Sequence, residues 1–237
     1  MTDEKRILHC DTCGQETEHL HRDVLDADYN AILKPAMWNC ESCYRNKRAL
    51  RAVGGKPVQL LDGRQIFVTG FMATGKSKIG PILAALTGRT YLDTDEMIVE
   101  SAGKDIPAIF ADDGEAAFRD HEHESVTRAA QSDPSVISLG GGAIAHERNW
   151  DVIGSRGVCL CIRASVDTIF ERVARKRDER PLLAGLTDEA CRTKIESMLE
   201  EREPFYSRAD VFVTSDEVKS PEDTAVEALA LLKAVGT

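Results

Sequence analysis

The segment Gly70-Phe71-Met72-Ala73-Thr74-Gly75-Lys76-Ser77 decides the fold of most of this 237-residue chain. It matches G-x-x-x-x-G-K-[ST], a phosphate-binding loop that connects a buried strand to a helix. An apolar run at residues 66–69 precedes the segment, and a helical pattern at 76–86 follows it. Because this is the required context, the segment predicts a nucleoside triphosphate site, although a glycine-containing turn can match the pattern by chance.

The chemistry expected of this loop follows from its residue types. Glycines let backbone N–H groups wrap around phosphate oxygens at a helix N-terminus. The Lys76 ammonium reaches the outer phosphates, and the Ser77 hydroxyl can coordinate Mg²⁺. Lys78 either adds positive charge near the phosphates or points to solvent. The predicted nucleotide-binding residues of the loop are Gly70, Ala73, Thr74, Gly75, Lys76, Ser77 and Lys78.

Short apolar runs alternate with longer helical patterns from residue 65 onward. The predicted strands are 66–69, 91–92, 136–139, 158–162 and 211–213, and the predicted helices are 76–86, 116–130, 166–174 and 221–234. This alternation predicts an α/β fold with a parallel sheet that helices cover on both faces. In such sheets, ligands bind beyond the carboxyl ends of the strands.

Two carboxylates follow the predicted strand at 91–92. Asp93 and Asp95 are two residues apart, a spacing that places side chains on the same side of a strand. One carboxylate suits Mg²⁺ bound through water, and the other suits the proton of a substrate hydroxyl. The alternative is a helix N-cap with acidic residues in its first turn, since Asp95-Glu96 precedes an apolar pair.

Arginine and glycine residues mark further candidate contacts. Arg119 and Glu122 lie about one helical turn apart, a spacing that usually forms a solvated salt bridge. Such a pair also orients a guanidinium to bind a carboxylate through two hydrogen bonds. Gly140-Gly141-Gly142 follows a predicted strand and allows the backbone to approach a ligand closely.

Arg180 and Arg202 complete the candidates. Arg180 follows a basic run at residues 172–177 that is typical of a solvated helix face. Because Pro181 breaks the helix there, we expect a mobile loop that closes over the nucleotide and brings Arg180 to the transferred phosphoryl group. Arg202 lies on the next predicted helix.

In this order and spacing, the motifs make residues 64–237 resemble shikimate kinase. The matching segments are Gly70-Phe71-Met72, Gly75-Lys76-Ser77, Leu92-Asp93-Thr94-Asp95, Ile109-Phe110, Gly114-Glu115, Phe118-Arg119, Glu122, Ser138-Leu139-Gly140-Gly141-Gly142-Ala143, Arg180-Pro181-Leu182-Leu183, Arg202-Glu203-Pro204-Phe205-Tyr206 and Ala209-Asp210. The resemblance implies a P-loop kinase that phosphorylates the 3-hydroxyl of shikimate with ATP, in aromatic amino-acid biosynthesis. We also expect the kinase domain to be monomeric.

The resemblance assigns roles on the nucleotide side. Lys76 and Arg180 neutralise charge on the transferred phosphoryl group, and Ser77 and Asp93 hold the Mg²⁺ shell. Arg172 flanks the adenine, although one extra residue before Arg180 shifts that alignment. Ala73 and Lys78 depart from the family's commonest loop, which affects the expected nucleotide affinity.

The resemblance also assigns roles on the acceptor side. Asp95 binds the hydroxyl groups of shikimate and is the candidate general base. Arg119 and Arg202 bind the carboxylate of shikimate, and Glu122 positions Arg119. The backbone N–H of Gly141 contacts the same substrate.

The front of the chain carries a different pattern. Cys10, Cys13, Cys40 and Cys43 form two C-x₂-C pairs, which suit a tetrahedral structural zinc site. An iron–sulfur site or redox-active cysteine pairs are the alternatives, and His9, His19 or His21 can replace a cysteine ligand. The pattern resembles a zinc ribbon. We therefore expect a zinc-ribbon-like domain at 1–50, a linker at 51–63 and the kinase-like domain at 64–237, with Cys159 and Cys161 packed within a strand.

The charge distribution limits the partners of the chain. The net charge is -10; residues 1–63 carry 9 basic and 10 acidic side chains, whereas residues 64–237 carry 21 and 30. An acidic second part argues against general nucleic-acid binding, which needs clustered Lys and Arg. The basic run at 45–51 favours docking or charge compensation over nucleic-acid binding. No apolar run is long enough to span a membrane, so we expect a cytoplasmic protein.

Overall fold

A computed structural model describes residues 8–23, 37–174, 183 and 185–235. Its strands are β1 Leu8–His9, β2 Glu16–Thr17, β3 His21–Asp23, β4 Met37–Asn39, β5 Gln65–Thr69, β6 Thr90–Asp93, β7 Ser135–Ser138, β8 Gly157–Arg163 and β9 Val211–Thr214. Its α-helices are α1 Glu41–Ala52, α2 Lys76–Thr87, α3 Thr94–Ala102, α4 Ile106–Asp112, α5 Gly114–Ala130, α6 Glu147–Arg156, α7 Val166–Ala174, α8 Asp188–Tyr206 and α9 Pro221–Val235. Arg180, one of the predicted site residues, lies outside the described residues.

Five strands form a parallel sheet in the order β6-β7-β5-β8-β9. All residues of the central strand β5 are buried, as expected for a strand that is covered on both faces. The carboxyl ends of the strands therefore lie along one edge: Asp93 pairs with Ser138, and Thr69 pairs with Cys161. The predicted parallel sheet is confirmed, and its edge carries the phosphate loop.

Two apolar layers, one on each face of the sheet, form most of the core, and Ile98, Ile109 and Phe118 form a smaller third cluster. On one face, Phe67, Cys159 and Cys161 pack among residues from α5, α6, α7 and α8. On the other face, Ile66 and Val68 pack among residues from α2 and α9. This alternation also explains Cys159 and Cys161, which are two residues apart on the same face of β8 and are packed core residues, as predicted.

The front of the chain forms two short antiparallel strand pairs, β1 with β2 and β3 with β4, followed by helix α1. Its sequence shows little periodicity, and the helix was not predicted. Helix α1 continues across the predicted domain boundary at residue 50 and packs against α2 and α9. Within the predicted linker, Leu61 is buried and the Val58 N–H donates to the Leu86 carbonyl at 2.8 Å. The predicted division into domains stays a prediction.

No helix in the described parts of the chain is both long enough and apolar enough to cross a membrane.

Candidate active site

The phosphate loop leaves β5 and enters α2 through two glycines with left-handed backbone. Gly70 has a φ of 141° and Gly75 a φ of 102°. Between them, the Lys76 Nζ donates to the carbonyl oxygens of Gly70 at 2.7 Å and Phe71 at 3.2 Å. The lysine thus lies over the loop whose backbone surrounds a phosphate in this motif.

The tightest point of this loop is Gly70. A Cβ atom at this residue would lie 2.3 Å from the Ile162 carbonyl oxygen and 2.9 Å from the Thr74 Oγ1. We therefore expect Gly70→Ala to lower the free energy of unfolding by more than about 2 kcal/mol, measured by urea denaturation. Gly154→Ala is the matched control, because a Cβ there meets nothing within 4 Å and the residue is helical. Equal stability of the two variants would contradict the close packing that the structure shows around Gly70.

Arg172 holds the phosphate loop from the side. Its guanidinium donates to the Ala73 carbonyl at 3.2 Å and to the Ser215 Oγ at 3.0 Å, and it pairs with Glu217 at 2.9 Å. Ala73 has a φ of 60°, which is uncommon for a residue with a side chain. Arg172 therefore connects the loop to the segment after β9. The sequence analysis did not predict that this segment contributes to the site. Its position at the carboxyl end of a parallel strand could have indicated this contribution.

The two carboxylates after β6 have distinct environments. Asp93 is the N-cap of α3: its Oδ1 accepts from the Asp95 N–H at 3.0 Å, and its Oδ2 accepts from the Tyr91 hydroxyl at 3.1 Å. The helix-cap interpretation is thus correct for Asp93. Burial and the charge of Asp93 raise the pKa of the Asp95 carboxyl above its ordinary value of 3.8, and Lys76 partly offsets the shift. A raised pKa suits a group that accepts a proton.

The three consecutive glycines after β7 each face a different predicted substrate contact. A Cβ at Gly140 would lie 2.6 Å from the Asp95 Oδ1, and a Cβ at Gly142 would lie 3.0 Å from the Arg119 Nη1. At Gly141 the nearest atom is the Arg202 Nη1, at 3.6 Å. The glycine segment therefore joins one carboxylate and two guanidinium groups that are far apart in sequence.

Arg119 is held by a buried carboxylate. Its Nη1 lies 3.1–3.2 Å from both oxygens of Glu122, whose side chain is 1% exposed, and its Nη2 lies 3.1 Å from Glu115. Burial raises the pKa of the Glu122 carboxyl, whereas the Arg119 charge and hydrogen bonds act to lower it. Within the described residues, the buried Nε of Arg119 has no hydrogen-bond partner. Two carboxylates therefore hold this guanidinium in position.

Arg202 is positioned from helix α8. Its Nη1 donates to the Gly141 carbonyl at 3.1 Å, and its guanidinium lies 5.6 Å from the ring centre of Phe71. The Tyr206 hydroxyl donates to the same carbonyl at 3.2 Å. Neither the aromatic ring nor this tyrosine was predicted to support the site, because both act through tertiary contacts.

A cleft of about 900 Å³ connects these groups. The residues that were predicted to form the site and that line this cleft are Ala73, Gly75, Lys76, Ser77, Lys78, Asp93, Asp95, Gly141, Arg172 and Arg202. Residues of the segment 215–221 also line it. Arg119 is not a lining residue, but its guanidinium lies beside Gly142, which is. The cleft thus combines a phosphate loop, a pair of carboxylates and several cationic side chains. Lys78 lines this cleft and is exposed to solvent, so both of its predicted orientations stay open.

The four front cysteines converge at a second site. Their sulfur atoms all lie within 4.8 Å of one another, and Cys10 and Cys40 are buried. Burial opposes ionisation of Cys10, but backbone N–H groups of Cys40, Cys13 and Thr12 lower its pKa to about 6. Four converging thiol groups are compatible with tetrahedral Zn²⁺. No histidine joins this cluster in the described part of the chain.

The comparisons with known proteins match the kinase-like part of the chain and not the front cysteines. The family model for shikimate kinase matches residues 72–233, more than half of the chain. This chain belongs to the shikimate kinase family. It is therefore a kinase, and the family implies ATP and Mg²⁺. The cysteine cluster lies outside the matched residues.

Individual relatives agree with the family. A shikimate kinase from Salinibacter ruber is 41% identical over 157 residues, which are 64% of this chain and 77% of the relative. The structure of a shikimate kinase from Acinetobacter baumannii in complex with shikimate is 30% identical, with a TM-score of 0.67 over 74% of this chain and 96% of that one. For a shikimate kinase from Aquifex aeolicus, the identity is 35% and the TM-score 0.62, over 73% and 99% of the two chains.

Proposed function

We propose that this chain transfers the terminal phosphoryl group of ATP to the 3-hydroxyl of shikimate. The observation that carries the proposal is the glycine segment 140–142, which gathers Asp95, Arg119 and Arg202 beside the phosphate loop. Shikimate presents hydroxyl groups and one carboxylate, and these side chains supply a hydrogen-bond acceptor and two carboxylate-binding guanidinium groups.

The nucleotide side supports the same proposal. The loop glycines leave room for phosphate oxygens, and Lys76 moves from its loop carbonyls to the outer phosphates when ATP binds. Ser77 and Asp93 line the same cleft and supply oxygen ligands that suit Mg²⁺. When bound, Mg²⁺ neutralises and orients the phosphate oxygens. Arg172 fixes the loop, and Arg180 supplies a further positive charge.

On the acceptor side, the residues perform a direct transfer. The 3-hydroxyl oxygen attacks the terminal phosphorus of ATP, the hydroxyl proton passes to Asp95, and the bond to the bridging oxygen of ADP breaks. Arg119 and Arg202 bind the shikimate carboxylate and so fix the distance of the hydroxyl from the nucleotide. Glu122 positions Arg119, and the Gly141 backbone N–H contacts shikimate.

The pKa of Asp95 gives a pH prediction. Because burial and the Asp93 charge raise this pKa, we expect the Asp95 carboxyl of the free protein to titrate above 3.8 in a ¹³C NMR titration. In the Asp93→Asn variant one of these two causes is absent, so the midpoint moves down. Proton acceptance is lost as the pH falls through the Asp95 midpoint, since the base must be unprotonated. An unchanged midpoint in Asp93→Asn would contradict this electrostatic account.

The position of the transferred group tests the proposed reaction. The full chain is incubated with ATP, Mg²⁺ and shikimate, and the product is analysed by ³¹P and ¹H NMR. We expect one phosphate monoester whose phosphorus couples to the proton on carbon 3 of shikimate. A phosphate on another carbon would overturn the proposed orientation of the acceptor, even if ADP were formed.

We also propose that the four front cysteines bind a structural Zn²⁺. The support is the convergence of four sulfur atoms and the burial of Cys10 and Cys40. Tetrathiolate sites of this kind stabilise small units that have little apolar core of their own. All seven cysteines are unpaired, which fits the reducing cytoplasm, where we place this kinase.

A further inference from the structure

Helix α1 begins at the cysteine cluster. Cys40 is its N-cap residue, and Cys43 lies in its first turn, where the Tyr44 N–H donates to the Cys40 carbonyl at 2.9 Å. The other two cysteines come from the turn between β1 and β2. A metal ion in the cluster therefore joins that turn to the start of α1. Because a 12-residue helix is marginal in isolation, α1 depends on such tertiary connections.

The other end of α1 is buried against the kinase fold. Ala49 is 1% exposed and belongs to the apolar cluster that α2 and α9 form, with Leu50 and Val53 packed around it. Beside this contact, the Arg45 Nη1 lies 3.8 Å from the Glu222 Oε2, a carboxylate on α9 that is almost fully buried. Apolar packing and a charge pair thus attach α1 to both helices.

The chain after α1 continues this attachment around the end of α2. The Val58 N–H donates to the Leu86 carbonyl, and the Arg89 guanidinium donates to the Leu60 carbonyl at 2.6 Å. A Cβ at Gly88, the C-cap of α2, would lie 3.1 Å from Pro57. Helix α2 is therefore covered at its C-terminal end by the front segment, whereas its N-terminal end carries Lys76 and Ser77 of the phosphate loop.

The basic residues of α1 make contacts within this chain. Arg45 pairs with Glu41 and Glu222. Lys47 donates to the Thr12 hydroxyl at 2.7 Å and to the Asn39 side chain at 3.1 Å. These contacts favour docking within the chain over nucleic-acid binding, because phosphate contacts need lysine and arginine side chains that are free to reach the backbone of a nucleic acid.

We propose that the metal-bound front segment has the kinase fold of its own chain as its partner. Zn²⁺ in the cysteine cluster fixes the start of α1, α1 packs on α2 and α9, and metal binding thereby stabilises the helix that carries the phosphate-binding Lys76 and Ser77. This inference rests on the proposed zinc site and is independent of the proposed reaction. It assigns a stabilising function to a segment outside the residues that the family model matches.

Hydrogen exchange on the full zinc-loaded chain tests the proposal. Exchange is measured by mass spectrometry in Mg²⁺ buffer without nucleotide, before and after removal of zinc with a zinc-selective chelator, and zinc content is measured in parallel. We expect zinc removal to speed exchange roughly tenfold in α1, α2 and α9, because local opening of these helices becomes easier. Helix α6, which packs in the apolar layer on the opposite face of the sheet, serves as the internal reference.

A variant at the helix contact separates the docking from the metal site. Ala49→Arg places a long charged side chain in the buried contact, so α2 and α9 exchange faster although zinc stays bound. In this variant, zinc removal changes exchange only in α1 and the cysteine turns. Ala190→Arg is the matched control, because Ala190 is an exposed helical residue on α8 and its substitution leaves the zinc response as in the parent chain.

The outcomes distinguish the two proposals. If removal of zinc left hydrogen exchange in α2 and α9 unchanged, the docking proposal would be overturned, whereas the proposal of a zinc site would still stand. An equal zinc response in Ala49→Arg and Ala190→Arg would overturn it as well. A full chain that holds no zinc at its four cysteines would refute the zinc site and, with it, this inference; shikimate turnover by the same chain would still support the proposed reaction.

Discussion

Replacing Asp95 by asparagine is expected to lower kcat by a factor of about 10² to 10⁴, the usual contribution of a positioned general base. The side chain keeps its size beside Gly140 but no longer accepts the hydroxyl proton. Because binding of the shikimate carboxylate depends on Arg119 and Arg202, we expect KM to change far less than kcat. Steady-state kinetics with saturating ATP measure both quantities.

The matched control for Asp95→Asn is Asp151→Asn, which changes an exposed aspartate on α6 in the same way. We expect this control to have the same kcat and KM as the unsubstituted chain. Normal turnover by Asp95→Asn would remove this residue from its proposed role as the base, whereas a large rise in KM with unchanged kcat would reduce it to a binding residue.

The second large effect is expected from Arg119→Ala. Loss of a charged partner costs about 2–5 kcal/mol in comparable buried pairs, so KM for shikimate should rise at least about thirtyfold. The substitution also leaves the Glu122 carboxylate buried without its partner, which should lower the free energy of unfolding by about 3 kcal/mol. Kinetics and urea denaturation measure the two effects separately.

The double variant Arg119→Ala/Glu122→Gln separates binding from stability. Removing the buried charge should restore most of the lost stability without restoring the affinity for shikimate. If the double variant recovered a parental KM, Arg119 would act only as the partner of Glu122. An unchanged KM in Arg119→Ala alone would contradict its contact with the shikimate carboxylate.

Much of the site was predictable because the topology places strand ends together. The phosphate loop follows β5, Asp93 and Asp95 follow β6, and Gly140 follows β7. In a parallel sheet these segments meet at one edge, so sequence order and strand assignment already bring them near each other. What the sequence could not supply is which glycine faces which side chain, since that depends on the packing of α5 and α8.

Other parts of the structure carry weak local signals. Helix α1 has few apolar residues, and its main buried residue, Ala49, is recognised only once α2 and α9 provide the opposing surface. Arg172 lies in a basic run, so its contact with the Ala73 carbonyl could not be distinguished from solvation. The role of Arg180 is predicted from the helix break at Pro181 and from the family resemblance; the residue lies outside the described residues, so its role stays a prediction.

The most direct test of the proposed function is ADP release by the full chain in a coupled assay with Mg²⁺ and ATP, with and without shikimate. The proposal predicts steady ADP release that requires shikimate, saturates with its concentration and falls by a factor of about 10² to 10⁴ in Asp95→Asn. ADP release that is absent, or equal with and without shikimate, would contradict the assignment of shikimate as the phosphoryl acceptor.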